Sequence, residues 1–281
     1  MRAIKSLWTA ARTFRGGPSA LVLVLLLICA IFAPWFAPFP YDAMHLPSAN
    51  LEPSAKHWMG TDEFGRDLFS RIIHGARVSL GVAVSSIGAS VVIGVVIGGI
   101  AGYFGGWVDR ALMAISDLTW SFPEILIALV LIAIIGPGLG STAVAITIGY
   151  FAQFARLTRA QILALKSETY IEAARNLGAS DATILFRHLI PNAMTPVLVA
   201  GMLATGDAII LEATLGFFGL GAQPPLPSWG AIMSSGTAQI FIAPWIILYP
   251  GLAIAVTVVS INLYGDALID ALDIRGKLRE S

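Results

Sequence analysis

The chain has 281 residues, 57% of them apolar before glycine is counted, with 17 Lys and Arg balanced by 17 Asp and Glu. Charged residues are 12%, against roughly 25% in an average soluble domain, and mean hydropathy is +0.80. An ordinary water-soluble enzyme is excluded, a net charge of zero argues against nucleic acid as a partner, and the single Cys29 excludes an internal disulfide.

The apolar residues are gathered into blocks. No charge occurs over 16–41, 78–108, 125–155 or 213–265, and about 20 apolar residues suffice to cross a bilayer as helix. Turn signals split the last two blocks, Gly136-Pro137-Gly138 in one and Pro224-Pro225-Leu226-Pro227 in the other. The pattern predicts an all-α membrane protein with six spans, over 19–36, 79–104, 111–135, 141–157, 193–215 and 244–268. The first block follows basic residues as a secretory signal does, but no clear A-x-A site precedes Pro34, so a retained anchor is expected. The organisation is then a cytoplasmic tail, 1–18, and one transmembrane domain, 19–281, with an outer loop over 37–78 and a cytoplasmic loop over 158–192.

Orientation follows from the loop cations. Arg2, Lys5, Arg12, Arg15, Arg110, Arg156, Arg159, Lys166, Arg175, Arg187, Arg275, Lys277 and Arg279 fall on one side, against Lys56, Arg66, Arg71 and Arg77 on the other. Both termini are expected in the cytoplasm. A five-span reading, with 125–155 as one helix, would put the cations of the fourth loop outside. Trp35, Trp107 and Trp245 sit near predicted span ends, where amphipathic rings prefer to lie.

Within the second span, Ser86, Ser90, Gly94, Gly98, Gly102 and Gly106 recur every fourth residue and form a small-residue stripe suited to close helix packing. The same stripe would suit a seam that slides during transport. Acids in or near spans are Asp117, Glu124, Asp207, Glu212 and Asp266. Burying such groups costs about 2.5 to 3.5 kcal/mol, so they are candidates for a polar path or a structural pairing. Asp207 lies deepest, and Glu124 follows Pro123, which interrupts the backbone ladder.

Chemical motifs are absent: there is no phosphate loop, no H-E-x-x-H and no G-x-S-x-G. His45, His57 and His74 are scattered through the outer loop without ligand spacing, and no metal site is expected.

The informative segment is the fourth loop. Residues 170–178 read as a short amphipathic helix stopped by Gly178, and Ser180-Asp181-Ala182-Thr183 offers a cap for a second helix over 184–189 that ends before Pro191. Two short helices joined at a glycine make a rigid projection able to dock in another protein's groove. A hairpin lying on the membrane surface is the alternative.

Glu172-Ala173-Ala174, Gly178 and Pro191 resemble the EAA loop of ABC importer permeases, in the spacing E-A-A-x3-G-x9-I-x-L-P, with His188 and Ile190 replacing the usual Ile and Leu. His188 with Pro191-Asn192 resembles the dipeptide/oligopeptide/nickel branch. The outer loop from His57 to Arg77 is similar to that branch's H-P-L-G-T-D-x-x-G-R-D-x-x-S-R-x3-G-A-R run, with Trp58 and Met59 for Pro and Leu. Glu212 to Gly230 is similar to E-x-x-L-S-F-L-G-L-G-x-x-P-P-x-P-S-W-G, with Gly216 and Phe218 for Ser and Leu. The likeness runs from the first span to Asp273 and is strongest to the C-type half of the permease pair.

The resemblance implies an importer in which this chain pairs with a second, B-type permease, one or two ATPases below and an extracytoplasmic substrate-binding protein above, in a bacterial or archaeal cytoplasmic membrane. It implies that this chain binds no cofactor and that ATP and Mg belong to the partner ATPase. Glu172, Ala173, Ala174, Gly178, His188 and Pro191 would form the coupling loop, with Gly178 the turn and Pro191 the stop before the fifth span. ATP-driven closure of the ATPases would move that loop and open the path outward, in alternating access. Relatives handle dipeptides, longer peptides, glutathione-like compounds and nickel chelates, and selection lies largely with the binding protein. The rival readings are a proton-coupled transporter using Asp207, Glu212 or Glu124, and a membrane scaffold.

Overall fold

The computed structural model describes residues 10, 11 and 13–280, with side chains through Leu272. Arg2, Lys5 and Arg12 lie outside the described residues, as do the side chains of Arg275, Lys277 and Arg279. Among the described residues the chain is helical, and its sole extended pairing is one bridge between Thr61 and Asp67. In chain order the helices are α1 (Gly16–Ile31), with a one-turn continuation at Ala33–Phe36, α2 (Leu68–Phe104), α3 (Gly106–Trp120), α4 (Glu124–Ile135) and α5 (Leu139–Lys166). Then come α6 (Thr169–Asn176), α7 (Asp181–Phe217), α8 (Trp229–Gly236) and α9 (Trp245–Glu280).

Three helices among the described residues, α2, α7 and α9, are long and apolar enough to cross a bilayer, and α3 with α4 makes a fourth when taken as one broken span. α2 has 37 residues, about 55 Å at the helical rise, against a hydrocarbon core of roughly 30 Å. It begins at Leu68, well ahead of the expected 79, so its first turns fall within the 37–78 stretch expected to be the outer loop.

The expected span over 111–135 is bent by 91° between α3 and α4. Pro123 at the bend supplies no N–H and disfavours helical backbone at Phe122, and the intervening Ser121 instead caps α3 through its N–H to the Asp117 carbonyl, 3.0 Å away. α5 runs on to Lys166, beyond 157, because 158–166 remains amphipathic, with Thr158 and Ile162 buried.

The chain divides into two compact units, one built from residues up to Val84, Leu131–Ala143 and Thr205 onward, the other from Ser85–Val130 and Val144–Ala204. In the first, α1 and α8 pack along α9. The outer loop there is held by buried charge. Asp62 Oδ1 accepts from the Phe64 and Arg66 amides, 2.9 Å each, and its Oδ2 from Arg66 Nε at 2.6 Å, while Arg71 Nε lies 3.3 Å from the same Oδ2. Asp67 accepts from the Ser70 amide (2.8 Å) and hydroxyl (2.7 Å), and its Oδ1 lies 2.8 Å from His57 Nδ1. Gly65, with φ +70, turns the loop where a Cβ would lie 2.0 Å from the His45 carbonyl oxygen. Arg71 also donates to the Tyr41 carbonyl at 3.1 Å, so this cation near the start of α2 is engaged inside the loop.

In the second unit α2 and α5 meet along the small-residue stripe. Ser90 Oγ donates to the Thr147 carbonyl (3.0 Å) and Thr147 Oγ1 to the Ser86 carbonyl (3.3 Å). A Cβ on Gly94 would lie 2.5 Å from Phe154 Cβ, one on Gly98 2.1 Å from the Ala155 carbonyl oxygen, and one on Gly102 3.0 Å from the Arg159 carbonyl oxygen. Gly106 departs from the stripe. It lies past the end of α2, with φ +60, and a Cβ there would meet nothing within 4 Å.

Candidate functional site

The fourth loop forms a helical projection in the second unit. α6 turns Ile171 inward, wholly buried, and leaves Glu172 and Ala173 exposed and Ala174 half-buried. Glu172 in its first turn and Arg175 in its last both favour the helix dipole. The helix ends in a Schellman motif: Gly178, with φ +82, donates its N–H to the Arg175 carbonyl (3.0 Å), and Ala179 donates to the Ala174 carbonyl (3.1 Å). Ser180 then caps α7 by accepting from the Thr183 amide at 3.3 Å.

A buried apolar cluster fixes the projection from beneath, with Tyr103 of α2, Ile162 of α5, Ile171 of α6 and Ile184, Leu185, Leu189 and Ala193 of α7. Each fully buried Ile or Leu contributes about 1.5 to 3 kcal/mol. On the outer side Leu177 is 88% and Phe186 62% exposed, two apolar side chains flanking the Gly178 turn.

The expected stop before Pro191 is not there. α7 continues through it to Phe217, passing through a π-helical stretch at Ile184–Leu189 in which the Ile190 N–H reaches the Leu185 carbonyl, five residues back. The wider turn accommodates a residue without an N–H, and Asn192 Nδ2 donates to the His188 carbonyl at 2.7 Å. His188 is half-buried and Pro191 exposed on this continuous helix.

Polar contacts that the sequence alone did not reveal tie the projection down. Tyr103, 5% exposed, donates its hydroxyl to Asp181 Oδ1 at 2.5 Å, and Lys166 Nζ donates to the Tyr103 carbonyl at 2.5 Å. These partners are 78 and 63 positions apart, with no motif to signal them. Nearby, Arg159 bonds Asp109 at two points, Nε to Oδ1 (2.5 Å) and Nη2 to Oδ2 (2.6 Å), joining α5 to α3. Arg159 and Asp109 line a cleft of about 470 Å³ with Arg110, Met113, Ala114, Asp117 and Arg156. Asp117 is exposed there, 3.7 Å from Arg156.

The other expected path acids are scattered. Glu124 opens α4 with its side chain exposed and its Cβ facing Gly149. Asp207 and Glu212 belong to the first unit, five residues apart and so on different faces of α7: Asp207 is exposed, and Glu212 is fully buried. Ser79 and Ser228 beside Glu212 are also fully buried, their oxygens accepting from the Trp229 and Ala231 amides at 3.2 and 3.3 Å. Among the described residues no group of three His, Cys, Asp or Glu is placed to hold a metal ion, and His57 is engaged with Asp67.

Comparison with known proteins places this geometry. A family model described as binding-protein-dependent transport system inner membrane component matches residues 94–277, and one for the N-terminal TM domain of oligopeptide transport permease C matches residues 18–53. The chain is 44% identical over 258 residues to the glutathione transport system permease protein GsiD of Pectobacterium atrosepticum, covering 91% of this chain and 85% of that one. Against the GsiD of Escherichia coli O157:H7 the identity is 45% over 258 residues, covering 91% and 84%. A solved chain of the MetNI methionine ABC transporter in an inward facing conformation superposes with a TM-score of 0.57 at 23% identity, over 73% of this chain and 97% of that one. That last likeness bears on the fold alone.

Proposed function

Because this chain belongs to the family of binding-protein-dependent transport system inner membrane components, we propose that it imports peptides or a glutathione-like solute as the C-type half of a permease pair. The observation that carries the reading is the rigid projection from Thr169 to Leu189, buried on one side through Ile171 and Ile184 and presenting Glu172, Ala173, Leu177 and Phe186 on the other. A surface of that kind fits a groove on a separate ATPase. Glu172 supplies charge at the docking face, Gly178 the turn, and His188 and Pro191 the base of the projection, within α7.

ATP and Mg belong to that ATPase, one or two copies of it, and this chain carries no cofactor. A B-type permease completes the path and an extracytoplasmic binding protein delivers the solute. Six crossings follow when α1 with its one-turn continuation, α2, the bent α3 and α4, α5, α7 and α9 each traverse the cytoplasmic membrane of a bacterium or archaeon. The cations Arg15, Arg110, Arg156, Arg159, Lys166, Arg175 and Arg187 then face the cytoplasm, as do both termini. The domain so formed spans 19–281 after a tail over 1–18.

Asp207, with its exposed side chain, is the acid placed to line the path, with Asp117 and Glu124 toward the cytoplasmic side. Glu212 is buried as a packing group, and Gly94, Gly98 and Gly102 hold α2 against α5. The test is uptake by the reconstituted complex: import of glutathione or a dipeptide that requires ATP and persists when the proton gradient is collapsed supports the reading. Import that follows the proton gradient without ATP would refute it.

A further inference from the structure

We infer that Tyr103 is the positioning residue through which the projection moves α2 and α5 as one body, an inference that rests on the docking role proposed above. Its hydroxyl is bonded to Asp181, the first residue of α7. Its carbonyl, at the last turn of α2 where no helix N–H follows, is taken by Lys166, the last residue of α5. The Lys166 ammonium also lies 5.4 Å from the centre of the Tyr103 ring. The same ring packs in the cluster with Ile162, Ile171 and Ile184. One residue at the end of α2 thus meets the end of α5, the inner face of α6 and the start of α7.

Apolar packing alone would hold these elements together and let them slide. The hydrogen bond to a carboxylate fixes direction and distance as well, and such charge-assisted bonds are about twice as strong as neutral ones. After Phe104 the chain passes through Gly105 and Gly106, with φ +67 and +60 and nothing within 4 Å of either Cβ position. That glycine pair lets α3 take a different direction from the body fixed by Tyr103. A push on the Glu172 face is therefore delivered to the ends of α2 and α5 through Asp181 and Lys166.

The experiment reconstitutes the whole complex, with its ATPase and second permease, in proteoliposomes. It measures ATP hydrolysed per molecule imported, with radiolabelled glutathione and radiolabelled dialanine as probes. Tyr103→Phe, which keeps the ring and loses the hydroxyl, and Asp181→Ala are each expected to raise that ratio about tenfold while the ATPase stays bound. The double variant is expected to be no worse than either single one, and Asp181→Asn, which keeps an acceptor oxygen, to stay near wild type. An unchanged ratio in Tyr103→Phe, losses that add in the double variant, or loss of the ATPase from the Tyr103→Phe complex would overturn the inference. A wild-type complex that imports neither probe with ATP would instead defeat the reading of the projection itself.

Discussion

The indole N–H of Trp229 donates to the carbonyl of Ile72 at 3.0 Å, joining the first turns of α2 to the start of α8 across 157 positions of sequence. Trp229 is 1% exposed, and its own backbone amide donates to Ser79 Oγ at 3.2 Å, so the residue is held through both ring and backbone. Trp229→Phe is expected to cost about 1 kcal/mol by removing one buried hydrogen bond to a helix carbonyl, and Trp229→Ala about 3 to 5 kcal/mol. Thermal unfolding in mild detergent reads both, and the ranking of the two variants is the check.

The outer loop depends on Asp62. Asp62→Ala leaves the buried guanidinium groups of Arg66 and Arg71 without their shared carboxylate. A loss of about 3 to 5 kcal/mol is expected. Limited proteolysis between Pro40 and Leu68 should accelerate in the variant while the rest of the chain stays protected.

Glu63, next to Asp62, is held above its ordinary value of 4.5 by burial, partly countered by its own backbone N–H. A raised carboxyl means the folded chain holds the proton more tightly than the unfolded chain. The stabilisation is complete below pH 4.5 and is lost as pH rises through the folded-state value. Glu63→Gln is therefore expected to leave stability unchanged at low pH and raise it slightly at neutral pH. Melting curves at the two pH values check the sign.

The seam between α2 and α5 has no room. Gly98→Ala puts a methyl group 2.1 Å from a carbonyl oxygen, and a cost of about 1 to 3 kcal/mol or more is expected. Gly81→Ala, on the same helix with nothing within 4 Å, is the contrast: it is expected to stabilise by about 0.4 to 1 kcal/mol. Equal melting temperatures for the two variants would show that the seam does not hold the helices.

The glycines of this seam were legible in the sequence because helical pitch puts every fourth residue on one stripe, and the projection was legible because glycine and serine mark its turn and cap. Gly106 was misplaced, since a spacing rule does not register that the helix has ended at Phe104. Pro191 was misread as a stop because a proline's missing N–H ends a regular helix, whereas here a π-helical turn absorbs it. The bend at Pro123 could be expected locally, but its size, 91°, depends on what each half packs against. Nothing in the sequence links Tyr103 to Lys166 or Asp181. Contacts 78 and 63 positions apart are set by the fold, and a lone tyrosine at a span end reads as an interfacial ring.

Gly178 lies at φ +82, a backbone region that a β-branched residue adopts only with strain of about 1 to 3 kcal/mol. Gly178→Val is expected to leave the spans folded and the complex assembled while solute import per ATP falls. Wild-type import by that variant would show that the turn geometry is immaterial to coupling.

Docking of an ATPase on the projection is tested by extracting the tagged chain from its native membrane in mild detergent and identifying by mass spectrometry what accompanies it, for wild type and for Leu177→Asp. A second permease and an ATPase are expected with the wild type, and loss of the ATPase but not of the permease when a charge replaces the exposed Leu177. A wild-type chain that comes out alone, or an ATPase that stays fully bound to Leu177→Asp, would contradict it.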